Sequence, residues 1–443
     1  MREFRTGSLK SHIIHLSWPM VLANLIINLV SALELYLLGR VGLEALAAFS
    51  IITSSVYALY LSVHGSLINA AIAMVSRYAG SRQYDAINRA VPQMFYFGLL
   101  IYSAYCLVIW LFKAPVLMFF GAKGGVLEMA SGYTDILALT FIPMAFYSVF
   151  IGIMRGAGDS RTPLNMVLVL AAFTAVLNPL FVIVLKMGLK GVALTALCAF
   201  SAASLSYAFV FGRGIHFFRI KAGDFAFEPA LFKKYGELTM KSVAQGFTTD
   251  AGVIILLKII SGFGNEFLAA YGIVAKLAFF MMMFGWPIGN SGGAVIGHNL
   301  GVKMYDRARA AVIEGIKLFS WITVPVAVIF LVFAPVIIPF FSQDAAVIRY
   351  GTYYMRLISF FLPALGAALV IQSGFNGAGD IGTATKVSFI SYILIRIPVA
   401  LVLVNFTPLG EYGVFWAIAA TVAANAVIFW YLFKKGKWML KEI

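Results

Sequence analysis

Apolar stretches of about 18 residues or more recur along nearly the whole of this 443-residue chain. Each is long enough to cross the roughly 30 Å hydrocarbon core of a bilayer as an α-helix. An open sheet edge would leave backbone groups unpaired in lipid, and no alternating pattern points to a barrel. We therefore predict an all-α membrane protein.

Twelve spans are predicted, with short loops between them. They cover residues 13–38, 47–75, 90–112, 132–154, 163–186, 190–213, 236–262, 267–297, 308–334, 349–374, 384–404 and 411–433. Apolar residues form 62% of the chain and charged residues 12%, about half the charged share of a soluble protein. This composition excludes a soluble enzyme and a disordered chain. Cys106 and Cys198 lie in apolar runs and favour neither a disulfide framework nor a zinc site.

The net charge of +15 indicates an orientation in the membrane. Lysine and arginine are concentrated in alternate inter-span segments, including both termini and the connector after the sixth span. Basic loops stay on the cytoplasmic side and face anionic lipid. We therefore expect a multi-pass protein of the inner cell membrane with both termini cytoplasmic, the lipid bilayer as a partner and no nucleic acid. The basic N-terminus precedes an apolar run too long for a signal peptide, so we expect the first span to be retained.

Three landmarks show that the chain contains one unit twice. Gly80-Ser-Arg-Gln-Tyr-Asp85 returns as Gly301-Val-Lys-Met-Tyr-Asp306, and Gly156-Ala-Gly-Asp159 as Gly377-Ala-Gly-Asp380, both after 221 residues; Leu46-Ala-Ala48 returns as Leu268-Ala-Ala270 after 222. The predicted domains are a six-helix bundle at 1–213, a cytoplasmic connector at 214–235 and a second bundle at 236–443. An even number of spans per repeat relates the halves by an axis along the membrane normal. This architecture is typical of secondary transporters, which bind substrate between the repeats.

Several motifs in combination resemble the MATE family, the multidrug and toxin compound extrusion transporters of prokaryotic type. They are Leu16-Ser-Trp-Pro19, Gly39-Arg-Val-Gly42, Gly297-His-Asn-Leu-Gly301, Arg155-Gly-Ala-Gly-Asp159, Asn376-Gly-Ala-Gly-Asp380 and Ile395-Arg-Ile-Pro398. The resemblance covers essentially the whole chain, although His298 stands where the family commonly has glutamine. It implies twelve helices in two pseudo-symmetric bundles around a V-shaped cavity. It also implies export of small organic, often cationic or amphipathic compounds by antiport with H⁺ or Na⁺.

Glu34 is the clearest ionisable residue within a predicted span. A charge in the bilayer costs roughly 2.5–3.5 kcal/mol on insertion scales, and removal from water disfavours the ionised carboxyl group. Glu34 is therefore a candidate for proton uptake and release. The alternative is a solvated position at the span end, or a pair with Arg40. The resemblance favours a coupling role, since family members usually carry an aspartate at this position. Because glutamate replaces the usual aspartate here, the resemblance leaves open whether the coupling ion is H⁺ or Na⁺.

The resemblance also implies a polar cluster around Glu34 in the first bundle. Its other members are Tyr133, Thr174, Asn178 and Thr195. Asn178 stands where one branch of the family has a second aspartate. One carboxylate among neutral oxygens suits a proton better than a hard cation, which prefers several charged oxygen ligands, so H⁺ is the favoured coupling ion. Ordinary hydrogen bonding between helices is the alternative role for the threonines and Asn178.

Asp250 is predicted to be a second buried acid, in the seventh span. It falls near an acid that another branch of the family uses for Na⁺, but the partner position of that branch falls at Leu365 here. Asp250 is therefore expected to attract a cationic substrate, or to pair with Lys241 or Lys276. The other candidate substrate contacts are Gln245, Met282, Asn290 and Gln372, with helix packing as their alternative role. We expect Arg396 to snorkel or to form an ion pair, and His64 to be a satisfied core histidine.

Two other functions remain open at this stage. A flippase for a lipid-linked or amphipathic metabolite would need a cationic cavity, and few basic residues lie inside the predicted spans. A membrane-embedded enzyme is disfavoured because we find no HExxH, no GxSxG and no Cys/His metal cluster. We expect a transporter without a cofactor or bound metal, acting as a monomer.

Overall fold

The structure is a computed structural model that describes residues 4–214 and 222–442. Within these residues the chain is helical and contains no strand. Eleven helical segments are long and apolar enough to cross a membrane, and one bent pair of helices brings the number of candidate spans to twelve. The predicted all-α membrane fold is therefore confirmed.

The described residues fall into two compact units. The first unit covers residues 18–239, and the second covers residues 4–17 together with 240–442. One boundary lies inside the first helix and the other lies inside the helix that follows the basic connector. Part of the predicted connector, residues 215–221, lies outside the described residues, and residues 229–235 are already helical.

The helices of the first unit are α1 (Leu9–Val41), α2 (Leu43–Ser54), α3 (Val56–Gly80), α4 (Tyr84–Phe119), α5 (Gly124–Gly156), α6 (Arg161–Pro179) and α7 (Gly188–Gly212). The central helix is α5, which packs against α3, α4 and α7. A π-helical turn, Leu180–Val184, extends α6. The predicted span 47–75 is divided at Ser55, whose hydroxyl donates to the carbonyl of Ile51 at 2.6 Å.

The helices of the second unit are α8 (Pro229–Ile260), α9 (Asn265–Gly301), α10 (Tyr305–Ile337), α11 (Ala345–Ser359), α12 (Leu362–Gly377), α13 (Ile381–Phe389), α14 (Arg396–Phe406) and α15 (Gly413–Lys435). A π-helical turn, Ile390–Ile395, joins α13 to α14. The predicted span 349–374 is in fact the bent pair α11 and α12, which meet at 56°. Pro363 follows the bend, and its missing N–H is tolerated there because the first turn of a helix has no partner for it.

Both repeated loop motifs contain a hydrogen bond from a threonine to the aspartate of the motif. In the first unit the Thr162 hydroxyl donates to the Asp159 carboxylate at 2.6 Å. In the second unit Thr383 donates to Asp380 at 2.9 Å. The Asp159 carboxylate also accepts from the backbone N–H groups of Arg161 at 2.9 Å and Thr162 at 3.0 Å, and so caps the start of α6. The Asp380 side chain makes no such bond to the backbone at the start of α13.

The repeated glycines mark the same helix crossing in both units. A Cβ atom added to Gly156 would lie 2.9 Å from the Cβ of Val75 on α3. A Cβ atom added to Gly377 would overlap the backbone of Gly293 on α9. Both positions therefore need glycine because another helix passes directly against them.

The N-terminal segment, residues 4–17, is hydrogen-bonded to Arg307 of the second unit. Its guanidinium donates to the carbonyl oxygens of Phe4 at 3.0 Å, Thr6 at 2.9 Å and Gly7 at 2.8 Å. The Phe4 ring is buried and makes an edge contact with His298. These contacts explain why residues 4–17 cluster with the second unit although they precede the first.

Candidate functional site

Glu34 lies on α1 and is hydrogen-bonded to α6. The Asn178 amide donates from Nδ2 to the Glu34 carboxylate at 3.3 Å. Asn178 is fully buried, and its Oδ1 atom receives no hydrogen bond from the described residues. The alternative of a Glu34–Arg40 pair is not observed, because the Arg40 guanidinium lies over the ring of Tyr36 at 4.8 Å.

The other predicted members of this cluster are all buried in the first unit. Tyr133 on α5 interacts electrostatically with Glu34. Thr174 instead donates to the Leu170 carbonyl of its own helix at 2.9 Å, so its hydroxyl is engaged within α6. The Thr195 hydroxyl on α7 has no hydrogen-bond partner in the described part of the chain. A hydrogen bond thus joins Glu34 to Asn178, and Tyr133 lies within range of the Glu34 charge. The functional roles of the cluster, including those of the two threonines, stay predictions.

The structure adds a line of polar rings on α3 that the sequence analysis did not include. Tyr57 interacts electrostatically with Glu34, and its ring lies 5.0 Å from that of Tyr60. The Tyr60 ring stacks on His64 at 5.4 Å. These three residues are three and four positions apart, so they share one helix face. That spacing is the signal in the sequence that could have identified the group.

His64 is part of a hydrogen-bonded network, as expected of a satisfied core histidine. Its Nδ1 atom and the Ser148 hydroxyl are 2.6 Å apart. The Tyr102 hydroxyl lies 3.0 Å from the same Ser148 oxygen, which in turn donates to the Met144 carbonyl at 2.7 Å. The network therefore connects α3, α4 and α5 at the centre of the first unit.

The predicted substrate contacts of the second unit have different surroundings. Asp250 is exposed on the surface of that unit, so the expectation of a second buried acid is wrong; a helix pattern that is apolar nearly all round does not reveal which face lies inward. Gln245 is buried and accepts a hydrogen bond from Asn376 at 3.4 Å, whereas its own Nε2 has no acceptor among the described residues. Asn290 and Gln372 are half-buried.

The methionine and phenylalanine run on α9 does not form one continuous surface. Met282 is buried, as are Met281 and Met283 beside it. Phe279 and Phe280 are 63% and 61% exposed on the same unit. The methionines thus pack in the core of the second unit, and the phenylalanines are the apolar side chains that this segment presents.

Two repeated units of apolar spanning helices that carry ionisable side chains are typical of multi-pass membrane transporters. A family model described as MatE matches residues 19–180 and 247–402, which is more than half of the chain. The chain therefore belongs to the MatE family. The predicted resemblance is confirmed, and the protein is a transporter rather than an enzyme.

Named relatives align with nearly the full length of the chain. The probable multidrug resistance protein YpnP of Bacillus subtilis strain 168 is 22% identical and covers 100% of this chain and 98% of its own. The probable multidrug resistance protein NorM of the same strain is 23% identical and covers 96% of each chain.

Solved structures share the fold at low sequence identity. A crystal structure of MATE in the straight conformation has a TM-score of 0.90 at 18% identity, covering 99% of this chain and 98% of its own. A MOP superfamily transporter from Pyrococcus furiosus has a TM-score of 0.90 at 20% identity, with the same coverage.

Proposed function

We propose that this protein exports organic, often cationic or amphipathic compounds in exchange for protons, and that Glu34 binds the coupling proton. The observation that carries the proposal is the hydrogen bond between Glu34 on α1 and Asn178 on α6, which joins an ionisable group to two separate helices. Membership of the MatE family supports transport. The multidrug resistance names of the relatives support small organic compounds as substrates.

Protonation of Glu34 would change the hydrogen bonding between α1 and α6. The ionised carboxylate can only accept, and it accepts from the Asn178 amide nitrogen. A protonated carboxyl group can also donate, and the buried Oδ1 of Asn178 is an acceptor without a donor among the described residues. The pair therefore has two alternative arrangements that differ by one proton, which is what a coupled conformational change requires.

The neighbours of Glu34 favour H⁺ over Na⁺. Glu34 is hydrogen-bonded to a neutral amide, and the phenol groups of Tyr57 and Tyr133 lie within range of its charge. A hard cation prefers several charged oxygen ligands. We therefore propose that a pH gradient, rather than a sodium gradient, drives export.

Efflux of ethidium from proteoliposomes tests this proposal. We expect an imposed pH gradient to drive efflux by the wild-type protein, and Glu34→Gln to reduce it to the background of protein-free liposomes, because the amide cannot exchange a proton. Glu44→Gln is the matched control, since Glu44 is an exposed carboxylate at the start of α2. Full pH-driven efflux by a folded Glu34→Gln variant would refute the role of Glu34. Efflux that follows only a sodium gradient would replace H⁺ by Na⁺.

We propose that the protein lies in the inner cell membrane as a monomer with both termini cytoplasmic. The basic segments at the termini support this orientation. Protease protection of epitope tags in oriented vesicles tests it, and tags on opposite sides would overturn it. Light scattering of the purified protein would reveal a stable oligomer. Lipid flipping without ethidium transport would favour the alternative flippase.

A further inference from the structure

Arg396 is a buried cation inside the second unit. It begins α14 and is 6% exposed. It lies ten residues before the end of the span Ile381–Phe406, which is about 15 Å along a helix. Because the side chain is buried in the unit rather than extended along its surface, the expectation that Arg396 snorkels is wrong. In the described part of the chain no aspartate or glutamate forms an ion pair with it.

A π-helical turn sets the position of Arg396. The Arg396 N–H donates to the carbonyl of Ser391, five residues earlier. Pro398 cannot supply the N–H that the carbonyl of Leu394 would accept in a regular helix, and its ring crowds that carbonyl, so a widened turn is expected just before it. The buried hydroxyl of Ser391 and the Nε atom of Arg396 both lack a hydrogen-bond partner among the described residues. Two buried polar groups without a partner among the described residues therefore lie near the two ends of this turn.

One tyrosine ring contacts the guanidinium, and two more tyrosines lie within range of its charge. The Arg396 guanidinium carbon lies 4.3 Å from the ring centroid of Tyr392. The tyrosines within range of the charge are Tyr271 on α9 and Tyr354 on α11. The rings of Tyr271 and Tyr354 stack at 5.9 Å, and Tyr354 stacks on Phe415 at 4.4 Å. Arg396 thus lies beside a wall of parallel aromatic rings.

The contacts around Arg396 leave its positive charge without a compensating anion. Cation–π contacts offset part of the cost of burying a guanidinium, but a buried charge without a counter-charge remains strongly unfavourable. A ligand with one negative charge would remove this cost. The N–H donors of a single guanidinium form a planar fork that matches the two oxygens of a carboxylate. The flat faces of the tyrosines suit an aromatic ring.

We propose that Arg396, together with Tyr271, Tyr354 and Tyr392, binds the carboxylate of aromatic acids and zwitterions. The inference rests on the proposed function in that these ligands would be substrates for export. It extends the substrate class from cations to compounds that carry a carboxylate. A phosphate headgroup would need more donors than one guanidinium and one serine hydroxyl, so we do not favour a lipid ligand.

Thermal unfolding of the wild-type protein provides a test that needs no variant. We expect 1-pyrenebutyrate to raise the unfolding temperature in detergent, and its methyl ester, which has the same ring system but no charge, to raise it less. Dodecyl phosphate should not stabilise more than pyrenebutyrate. Equal effects of acid and ester would overturn the proposal, and a larger effect of dodecyl phosphate would favour a lipid headgroup.

Binding measured by equilibrium dialysis, corrected with empty micelles, then assigns the effect to Arg396. Arg396→Gln should weaken pyrenebutyrate binding roughly tenfold or more, the value of one charge-assisted hydrogen-bonded pair. Lys386→Gln is the matched control, because it removes an exposed positive charge from the same span. If Arg396→Gln does not fold, the ester comparison on the wild-type protein decides. Unchanged pyrenebutyrate binding by a folded Arg396→Gln variant would refute the site.

The binding tests and the efflux test can fail independently. If the protein does not distinguish pyrenebutyrate from its methyl ester but still shows proton-driven ethidium efflux, the anion site is refuted and the proposed function is supported. If pyrenebutyrate binds selectively but neither gradient drives efflux, the anion site is supported and the proposed function is refuted.

Discussion

The first unit holds the half-buried Glu34 carboxylate beside an amide, whereas the second buries the Arg396 guanidinium beside tyrosines. The position of the second unit that corresponds to Glu34 is Leu256, which lies 222 residues later, the displacement of the nearest repeat landmark. Leu256 is apolar and fully buried. Conversely, the span of the first unit that corresponds to the Arg396-containing span is Arg161–Val184. It carries no charged residue after Arg161. The two copies have therefore acquired charges of opposite sign at different places.

The packing around these charges is much more alike. Tyr133 and Tyr354 are 221 residues apart, and both are buried. Tyr133 makes an edge contact with Phe49 at 6.2 Å, and Tyr354 stacks on Tyr271 at 5.9 Å. Where two helix backbones pass close together, only a few residue types fit at the crossing. A charged residue, by contrast, can be replaced once its neighbours are replaced with it. A repeated scaffold can thus keep its packing and diverge in electrostatics.

The largest expected effect comes from placing the acid of the first unit into the second. Leu256→Glu should lower stability by about 2.5–3.5 kcal/mol or more, because it adds a carboxylate at a fully buried apolar position. Thermal unfolding and the yield of monodisperse protein measure this loss. Leu256→Met conserves volume and serves as the control. Wild-type stability of Leu256→Glu would mean that the second unit can accommodate an acid at this position.

The paired glycines test whether the two helix crossings are equally tight. Gly377→Ala should destabilise more than Gly156→Ala, within a range of about 1–3 kcal/mol, because the new Cβ atom overlaps backbone at Gly377 and a side-chain atom at Gly156. The contact is also closer at Gly377, where the added Cβ atom would meet the Gly293 backbone directly, than at Gly156, where the Val75 Cβ lies at 2.9 Å and the backbone of α3 at 3.2 Å. Thermal unfolding of both variants decides the order, and a larger loss at Gly156 would contradict it.

The smallest expected effect separates the two paired tyrosines. Tyr133→Phe should change the pH dependence of ethidium efflux with little effect on pyrenebutyrate binding, because it removes a hydroxyl near Glu34. Tyr354→Leu should do the opposite, because it removes an aromatic face near Arg396. Each change is expected to be several-fold, since one hydroxyl interaction or one aromatic contact contributes about 1 kcal/mol. Efflux and dialysis measured on both variants test the separation. Equal effects of both substitutions on both assays would show that the two units do not have separate roles.

Sequence patterns were most informative where a single local rule governs the structure. The two Gly-Ala-Gly-Asp motifs predicted the repeat because they recur after one displacement, and each aspartate accepts a hydrogen bond from the threonine three residues later. Glu34 stood out because a carboxylate in an apolar run is costly. Asp250 was placed wrongly by the same rule, since it ignores how each helix is rotated in its unit.

The sequence by itself determined the all-helical membrane fold, the two repeats and the isolated acid in the first span. Lipid leaves the backbone few alternatives, and the repeat is written directly in residue positions. Only the tertiary structure decided that Asn178 reaches Glu34, that α11 and α12 bend apart, and that a π-helical turn directs Arg396 into a tyrosine cluster. Those features depend on the rotation of each helix and on contacts between residues far apart in the chain, which no local pattern specifies.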